Sequence, residues 1–107
     1  MSAAVRGQVI QADLGLDEPK LLVVVSNNSR NAHLGSVLAV RLTTSPKRPR
    51  SSIVEIADGE TVTGRAICDD LLPVYDDEIL TIRGALSPRT MRAIDRGLAA
   101  ALALTLA

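Results

Sequence analysis

A chain of 107 residues with 12 basic and 12 acidic side chains, no Phe, no Trp and one Tyr fits one domain, 1–107, with an aliphatic core. Its one cysteine, Cys68, excludes an intrachain disulfide. The charge is uneven, because residues 1–50 hold seven basic and three acidic side chains (+4) and residues 51–107 hold five and nine (−4). This asymmetry permits an anion-binding face on a neutral protein, although an ordinary solvated surface explains it as well.

The sequence predicts a soluble protein of the cytoplasm. A single free cysteine suits a reducing compartment. Residues 1–6 have no apolar run behind their charge, so they do not resemble a secretory signal peptide. The longest apolar run, 21–25, is far too short to span a membrane, so we expect no membrane partner.

Six short stretches have the composition and apolar spacing of β-strands. They cover residues 7–13, 21–25, 36–42, 52–56, 64–70 and 80–85. The second stretch is a continuous apolar run rich in β-branched residues, which is typical of a strand buried on both faces. Turn-forming residues separate the strands, so 26–31 and 43–50 are predicted as loops and 72–74 as an irregular segment.

The last element is predicted to be a helix. Ser87 is a favourable N-cap, and Pro88 suits the first helical position. Apolar side chains recur at helical spacing from Met91 to Leu102. The final stretch, 99–107, is apolar almost all round, which indicates burial, with a second subunit as one way to provide it.

Five or six short strands, mostly neighbouring and antiparallel, followed by one helix favour a mainly β fold. The economical packing is a small, strongly bent sheet or partial barrel of the SH3-like kind, with the C-terminal helix against it. No repeat, linker or low-complexity tract divides the chain.

The residue inventory excludes several kinds of enzyme. There is no glycine-rich phosphate loop, and the one Cys and one His, Cys68 and His33, cannot form a Cys/His metal site. A single His also excludes a two-histidine mechanism of RNA cleavage. The neighbouring carboxylates Asp69 and Asp70 point to opposite faces of a strand, which disfavours a shared metal. We expect no metal and no cofactor.

The third predicted strand and the loop after it concentrate basic and hydroxyl side chains. These are Arg41, Thr43, Thr44, Lys47, Arg48 and Arg50. Arginine forks onto two phosphate oxygens and lysine acts as a point charge, so this region suits a nucleic acid, with a solvated hairpin loop as the alternative. With one aromatic residue the chain cannot stack bases on a row of rings, so it would hold RNA by charge and hydrogen bonds.

Five segments, taken with their order and spacing, resemble the MazF/PemK/Kid toxins of type II toxin–antitoxin systems. Four of them are RGQVIQADL at 6–14, KLLVVVSN at 20–27, SVLAVRLTT at 36–44 and AICDDL at 66–71. The fifth is the strand 80–85 with the helix that follows Ser87. The resemblance implies the SH3-like partial barrel of the MazF/CcdB/Kid toxin fold.

The resemblance also implies a metal-independent endoribonuclease of the mRNA interferase type, which cuts single-stranded RNA at short sequences. In that chemistry the 2′-hydroxyl of the RNA attacks the adjacent phosphate, leaving a 2′,3′-cyclic phosphate and a 5′-hydroxyl end. The family's catalytic Arg and Thr correspond to Lys20 and Thr43, and a further Asp used by some relatives corresponds to Asp69. Lys20 keeps the charge of the family's Arg but lacks its planar fork. The additional Arg of the Kid branch falls on Ile67 and is absent.

By the same resemblance, Arg41, Thr44 and the basic loop with Lys47, Arg48 and Arg50 are expected to bind RNA. The loop between the first two strands is shorter than in the family, so base selectivity is expected to rest elsewhere. The candidates are Asn27, Asn28, Arg30 and Asn31. His33 follows them and is expected to be packed or on the surface, with a place in the RNA groove as the alternative.

The resemblance implies two partners besides RNA: a second copy in a two-fold homodimer, and a MazE-like antitoxin whose acidic tail covers the groove. Two other functions stay open. A CcdB-like poison of DNA gyrase shares the fold, but CcdB-like chains typically end in Trp-Gly-Ile, whereas residues 104–107 are Leu-Thr-Leu-Ala. A catalytically weakened homologue that still binds antitoxin or RNA is suggested by Lys20.

Overall fold

The computed structural model describes residues 4–105 as a six-stranded antiparallel sheet with two helices and a 3-10 turn. The strands are β1 Gln8–Ala12, β2 Lys20–Val24, β3 Ser36–Thr43, β4 Ile53–Glu55, β5 Arg65–Tyr75 and β6 Ile79–Ala85. The helices are α1 Asn28–Leu34 and α2 Pro88–Leu102, and the 3-10 turn is Asp76–Glu78. The strand order is β4-β5-β3-β2-β1-β6. The predicted mainly β fold with a C-terminal helix is confirmed.

Aliphatic side chains from both faces of the sheet form two buried clusters. Alternation along β2 separates them, because Val23 belongs to the first cluster while Leu22 and Val24 belong to the second. The first cluster also contains Met91 and Ile94 of α2, so it lies between the sheet and that helix. Both faces of β2 are therefore covered, as its uninterrupted apolar run predicts.

The predicted loop over 26–31 is wrong in its second half, where α1 begins. The Asn27 side chain accepts a hydrogen bond from the backbone N–H of Arg30 at 2.8 Å and so caps the helix. Buried Asn31 donates to the backbone carbonyl of Ser26 at 3.1 Å. The same polar side chains that favour loops satisfy the first N–H groups of a helix here, which is why the composition misled.

The segment 72–74, predicted as irregular, continues β5. Pro73 pairs with Leu38 of β3, whereas β4 pairs only with residues 65–67 of β5. The second edge of β5 has no strand beside it at Pro73, so the missing N–H of proline breaks no ladder hydrogen bond.

A large register shift bends the sheet between β3 and β5. Val40 pairs with Leu71, but the next residue, Arg41, pairs with Ile67. Residues 68–70 are therefore extra on β5, and such bulges bend a strand and increase its twist.

Helix α2 begins as predicted but leaves the tail uncovered. The Ser87 side chain caps it by accepting a hydrogen bond from the N–H of Thr90. No helix within residues 4–105, α2 included, is long and apolar enough to cross a membrane. Leu102 and Leu104 are 51% and 57% exposed, so the expected burial of the tail is wrong within a single chain. The reason is that α2 packs through one side only, with Ala99 turned inward. Residues 1–3, part of the segment 1–6 predicted not to be a signal peptide, and residues 106–107 of the tail lie outside the described residues.

Candidate active site

A cavity of about 350 Å³, called the groove below, opens where β2 begins and β3 ends. Its walls are residues 18–21, 41–45 and 62–63, the last of which belong to the loop before β5. Four of the sequence-predicted site residues line it together: Lys20, Arg41, Thr43 and Thr44.

The pairing of β2 with β3 brings the two predicted catalytic residues, Lys20 and Thr43, to the same region of the sheet. Leu22 of β2 pairs with Arg41 of β3, and two residues beyond this pair on each strand Lys20 and Thr43 both line the groove. Both residues are half-buried, so neither is beyond the reach of solvent. The cation and the hydroxyl therefore line one accessible cavity, and their catalytic roles stay a prediction.

The groove has a second cation with an unsatisfied donor. Arg41 lies two residues before Thr43 and shares its face of the strand. Its Nη1 is 3.6 Å from Oδ2 of Asp70, while its Nε is buried without a hydrogen-bond partner among residues 4–105. The side chain as a whole is 37% exposed, and an accessible guanidinium next to a lysine and a threonine suits a phosphate group.

The hydroxyl of Thr43 is held by the turn that follows β3. The backbone N–H of Ser45 donates to Thr43 Oγ1 at 3.1 Å, so the hydroxyl proton stays available for donation to a ligand. Arg65, paired with Thr43 in the sheet, donates from Nη1 to the carbonyls of Thr44 and Ser45, each at 3.2 Å. Its Nε is 2.8 Å from Glu55, which fixes the guanidinium from the other side. Sequence reasoning missed Arg65, because its place beside Thr43 follows only from the strand pairing.

Two carboxylates differ from expectation in their position. Asp69 is exposed in the bulge of β5, where its Oδ2 accepts from the Ser52 hydroxyl at 2.7 Å, and it does not line the groove. Its catalytic role stays a prediction. The groove instead contains Glu18, an exposed residue just before Lys20, which sequence reasoning also missed. The one feature of the sequence that could have indicated Glu18 is that it precedes Lys20 by two residues.

The basic loop continues from the rim of the groove. Lys47, Arg48 and Arg50 are all exposed and lie outside the groove lining. None of them forms an ion pair within the described part of the chain. Their contact with RNA stays a prediction, and their position after Thr44 is compatible with it.

The polar residues around α1 lie beyond the opposite end of β2 and outside the groove lining. Asn27 caps α1, Asn28 Oδ1 accepts from the N–H of Arg6 at 2.7 Å, and Arg30 Nη1 donates to the carbonyl of Ser36 at 2.8 Å. These side chains support the protein's own backbone, and their RNA-binding role stays a prediction. His33 is exposed, with Nδ1 2.7 Å from its own helix at the Ser29 carbonyl.

The thiol of Cys68 is not available as a nucleophile. Cys68 is 1% exposed, and burial, reinforced by Asp69 and Asp95, raises the pKa of its thiol to about 11. At neutral pH it is therefore a protonated core side chain. Residues 4–105 contain no group of three or more His, Cys, Asp or Glu side chains that would hold a metal ion.

Comparisons with known proteins identify the family of the chain. Residues 5–102 match the family described as PemK-like, MazF-like toxin of type II toxin–antitoxin system. The chain is 39% identical over 104 residues to the endoribonuclease MazF4 of Mycobacterium tuberculosis, covering 97% of each chain. It has the same identity and coverage with the endoribonuclease MazF1 of Mycobacterium bovis.

Solved structures place the fold in the same group. A mycobacterial endoribonuclease in complex with its cognate antitoxin has a TM-score of 0.90 at 38% identity, covering 98% of this chain and 100% of that one. The MazF of a MazE–MazF crystal structure from Deinococcus radiodurans shares the fold at 13% identity, with a TM-score of 0.81 and 95% and 97% coverage. With 39% identity to curated relatives over nearly its whole length, the chain belongs to the PemK-like, MazF-like family of toxins of type II toxin–antitoxin systems.

Proposed function

We propose that this chain is the toxin of a type II toxin–antitoxin system and an endoribonuclease that cuts single-stranded RNA in the groove without a metal ion. The observation that carries the proposal is that Lys20 and Thr43, from the paired strands β2 and β3, line the same accessible cavity. Family membership supports it, because the curated relatives are named endoribonucleases.

The groove holds a group for each proton transfer of RNA cleavage and for the negative charge that develops on the phosphate. The 2′-oxygen bonds to the adjacent phosphorus as the bond from phosphorus to the 5′-oxygen breaks, leaving a 2′,3′-cyclic phosphate and a 5′-hydroxyl. Glu18 is suited to accept the 2′-proton, and Lys20 to supply a proton to the leaving oxygen. The Thr43 hydroxyl and the Arg41 guanidinium stabilise the negative charge on the non-bridging oxygens. Thr44 extends the contacts at the rim.

Incubation with a long single-stranded RNA in EDTA tests this proposal. The wild-type protein should leave 5′-hydroxyl ends, and Thr43→Ala should cut at least about tenfold more slowly, because the charge on the phosphorane loses a fixed donor. Thr81→Ala is the matched control, since Thr81 is an exposed threonine on β6, outside the groove. Uncut RNA, or equal rates for the two variants, would contradict the proposal.

Lys20 provides a second test at the same site. Lys20→Ala should reduce cleavage at least about tenfold by removing the proton donor and the charge. Lys20→Arg should keep most of the activity, because arginine restores a cation that can contact two phosphate oxygens. If Lys20→Ala cleaves like the wild type, the lysine is an ordinary surface residue and the assigned pair is wrong.

Three further expectations belong to the same proposal: an acidic antitoxin tail in the groove, a homodimer and a cytoplasmic location. The positive charge of Lys20 and Arg41 favours an acidic tail, and a mycobacterial relative has been solved with its cognate antitoxin. Exposed Leu102 and Leu104 favour a partner over the end of α2. The free thiol of Cys68 suits a reducing compartment. Titration of the purified protein with an acidic antitoxin peptide tests the first expectation, and light scattering tests the homodimer.

A further inference from the structure

An uncharged part of the groove lining belongs to one loop. Residues 57–63 connect β4 to β5, and Val62 and Thr63 of this loop line the groove. The N–H of Ile56 donates to the carbonyl of Gly64 at 2.9 Å and closes the base of the loop. Val62 also packs on the first core cluster, while Thr63 is exposed. The loop thus adds an apolar patch and a hydroxyl to a cavity that Lys20 and Arg41 also line.

A single carboxylate ties this loop to helix α2. Glu60 accepts from the N–H of Ser87 at 3.1 Å, from the Ser87 hydroxyl at 2.7 Å and from the Thr90 hydroxyl. These donors belong to the first turn of α2, where the helix dipole also favours a negative charge. The hydrogen bonds from Thr90 and Ser87 lower the pKa of Glu60, so it stays ionised at neutral pH. An anchor of this kind holds Val62 and Thr63 in one place.

The dimensions of the groove suit one nucleotide between its two sides. With a phosphate on Lys20 and Arg41, the attached sugar and base stay within a cavity of about 350 Å³ that Val62 and Thr63 also line. A hydroxyl both donates and accepts hydrogen bonds, and valine methyls contact the flat face of a base. The side chains of Asn27, Asn28 and Arg30, by contrast, are occupied with the backbone around α1.

We propose that Val62 and Thr63 are specificity-determining residues that contact the base beside the scissile phosphate, and that Glu60 is a positioning residue that holds them there. This inference rests on the proposed endoribonuclease function. It moves base selectivity from the α1 region to the loop 57–63.

Mapping of cleavage sites on one long RNA tests the contact residues. Thr63→Ala and Val62→Ala should redistribute the cut positions and raise KM at the preferred site about tenfold, with kcat changed less than about twofold, since they remove binding contacts only. Thr61→Ala is the matched control, because Thr61 lies on the same loop but contacts Gly84 instead of the groove. Thr63→Ser should restore the wild-type sites, since it keeps the hydroxyl.

The positioning role is tested by neutralising carboxylates of the same loop. Glu60→Gln should change the cleavage pattern in the same direction as Thr63→Ala, whereas Asp58→Asn, an equal charge change at an exposed position, should not. Far-UV circular dichroism and urea unfolding confirm that each variant is folded at the assay temperature. A purely structural Glu60 would lower stability and leave the cut positions unchanged, which would overturn its assignment.

The outcomes separate the two proposals. If the wild-type protein leaves RNA intact, the endoribonuclease proposal fails, and the selectivity proposal fails with it. If the wild type cuts RNA and both Thr63→Ala and Val62→Ala keep its cleavage sites and KM, only the selectivity proposal is overturned.

Discussion

Replacement of Gly64 by alanine tests how the groove is built. Gly64 joins the loop 57–63 to β5 and has a φ of +110°, a conformation that side chains rarely adopt. A Cβ there would overlap the carbonyl oxygen of Thr43 and would lie 2.9 Å from its carbonyl carbon and 3.1 Å from the Cα of Thr44. These are backbone atoms, so no side-chain rotation relieves the overlap.

The expected loss of stability has three parts. Alanine at positive φ costs about 1–2 kcal/mol, and moving a packed backbone adds about 1–3 kcal/mol. The lower entropy of the unfolded chain returns about 0.4–1 kcal/mol. Gly64→Ala should therefore lower the free energy of unfolding by about 1.5–4 kcal/mol. Because the shift reaches Thr43 directly, RNA cleavage should fall about 10- to 100-fold.

Gly59 provides the matched control for strain without overlap. It has a φ of +90°, and a Cβ there would meet nothing within 4 Å. Gly59→Ala should lose about 1 kcal/mol of stability and keep wild-type cleavage. Urea unfolding followed by far-UV circular dichroism measures stability, because the chain has no Trp. Equal stability and equal cleavage for Gly64→Ala and Gly59→Ala would refute the claim that Gly64 supports Thr43 by close contact.

Three further predictions concern buried and titratable groups. The thiol of Cys68, with its pKa raised to about 11, should hold at least about a hundredfold less thiolate than in the unfolded chain at pH 8, so a disulfide reagent should modify it only after unfolding. Because the pKa of Glu60 lies below its ordinary value of 4.5 in the folded protein, Glu60 stabilises the fold above that pH. As pH falls through its folded pKa, wild-type stability by urea unfolding should decline more than that of Glu60→Gln. At Gly97 a Cβ would lie 2.7 Å from Cys68 Sγ and 2.8 Å from Val54 Cγ2, so Gly97→Ala should destabilise by about 1–2 kcal/mol in the same assay despite its better helix propensity, and Cys68→Ala in the same chain should recover part of the loss.

The elements that the sequence predicts best are those set by hydrophobic period and by helix-start signals. The unbroken apolar run of β2 requires cover on both faces, and the two clusters provide it. Ser87 and Pro88 mark the start of α2 to the residue. The sequence did not reveal α1, because an asparagine that caps a helix and an asparagine in a loop look alike in sequence. The feature that marks the helix is the burial of Asn31 against Ser26, and it is visible only in the structure.

The sequence predicted two residues of the candidate site, Lys20 and Thr43, but not the residues that surround them. Lys20 and Thr43 follow from the family motifs, and the antiparallel pairing of β2 with β3 then brings the start of one strand beside the end of the other. Arg65 and the wall residues Val62 and Thr63 come from a separate part of the chain, and their approach depends on the register of β3 with β5. A bulge changes that register by several residues, and composition does not reveal where a bulge falls.

The two sides of the groove are held by different kinds of interaction, and this has a consequence for how the protein tolerates change. Thr43 is fixed by the backbone, through the strand ladder, the turn at Ser45 and the close contact of Gly64, so few substitutions nearby leave it in place. The wall is fixed by side-chain hydrogen bonds of Glu60 to the first turn of α2. Side chains within 57–63 can therefore vary without moving Thr43, so, on the proposed function, selectivity for RNA sequence should be alterable while the cleavage chemistry is retained.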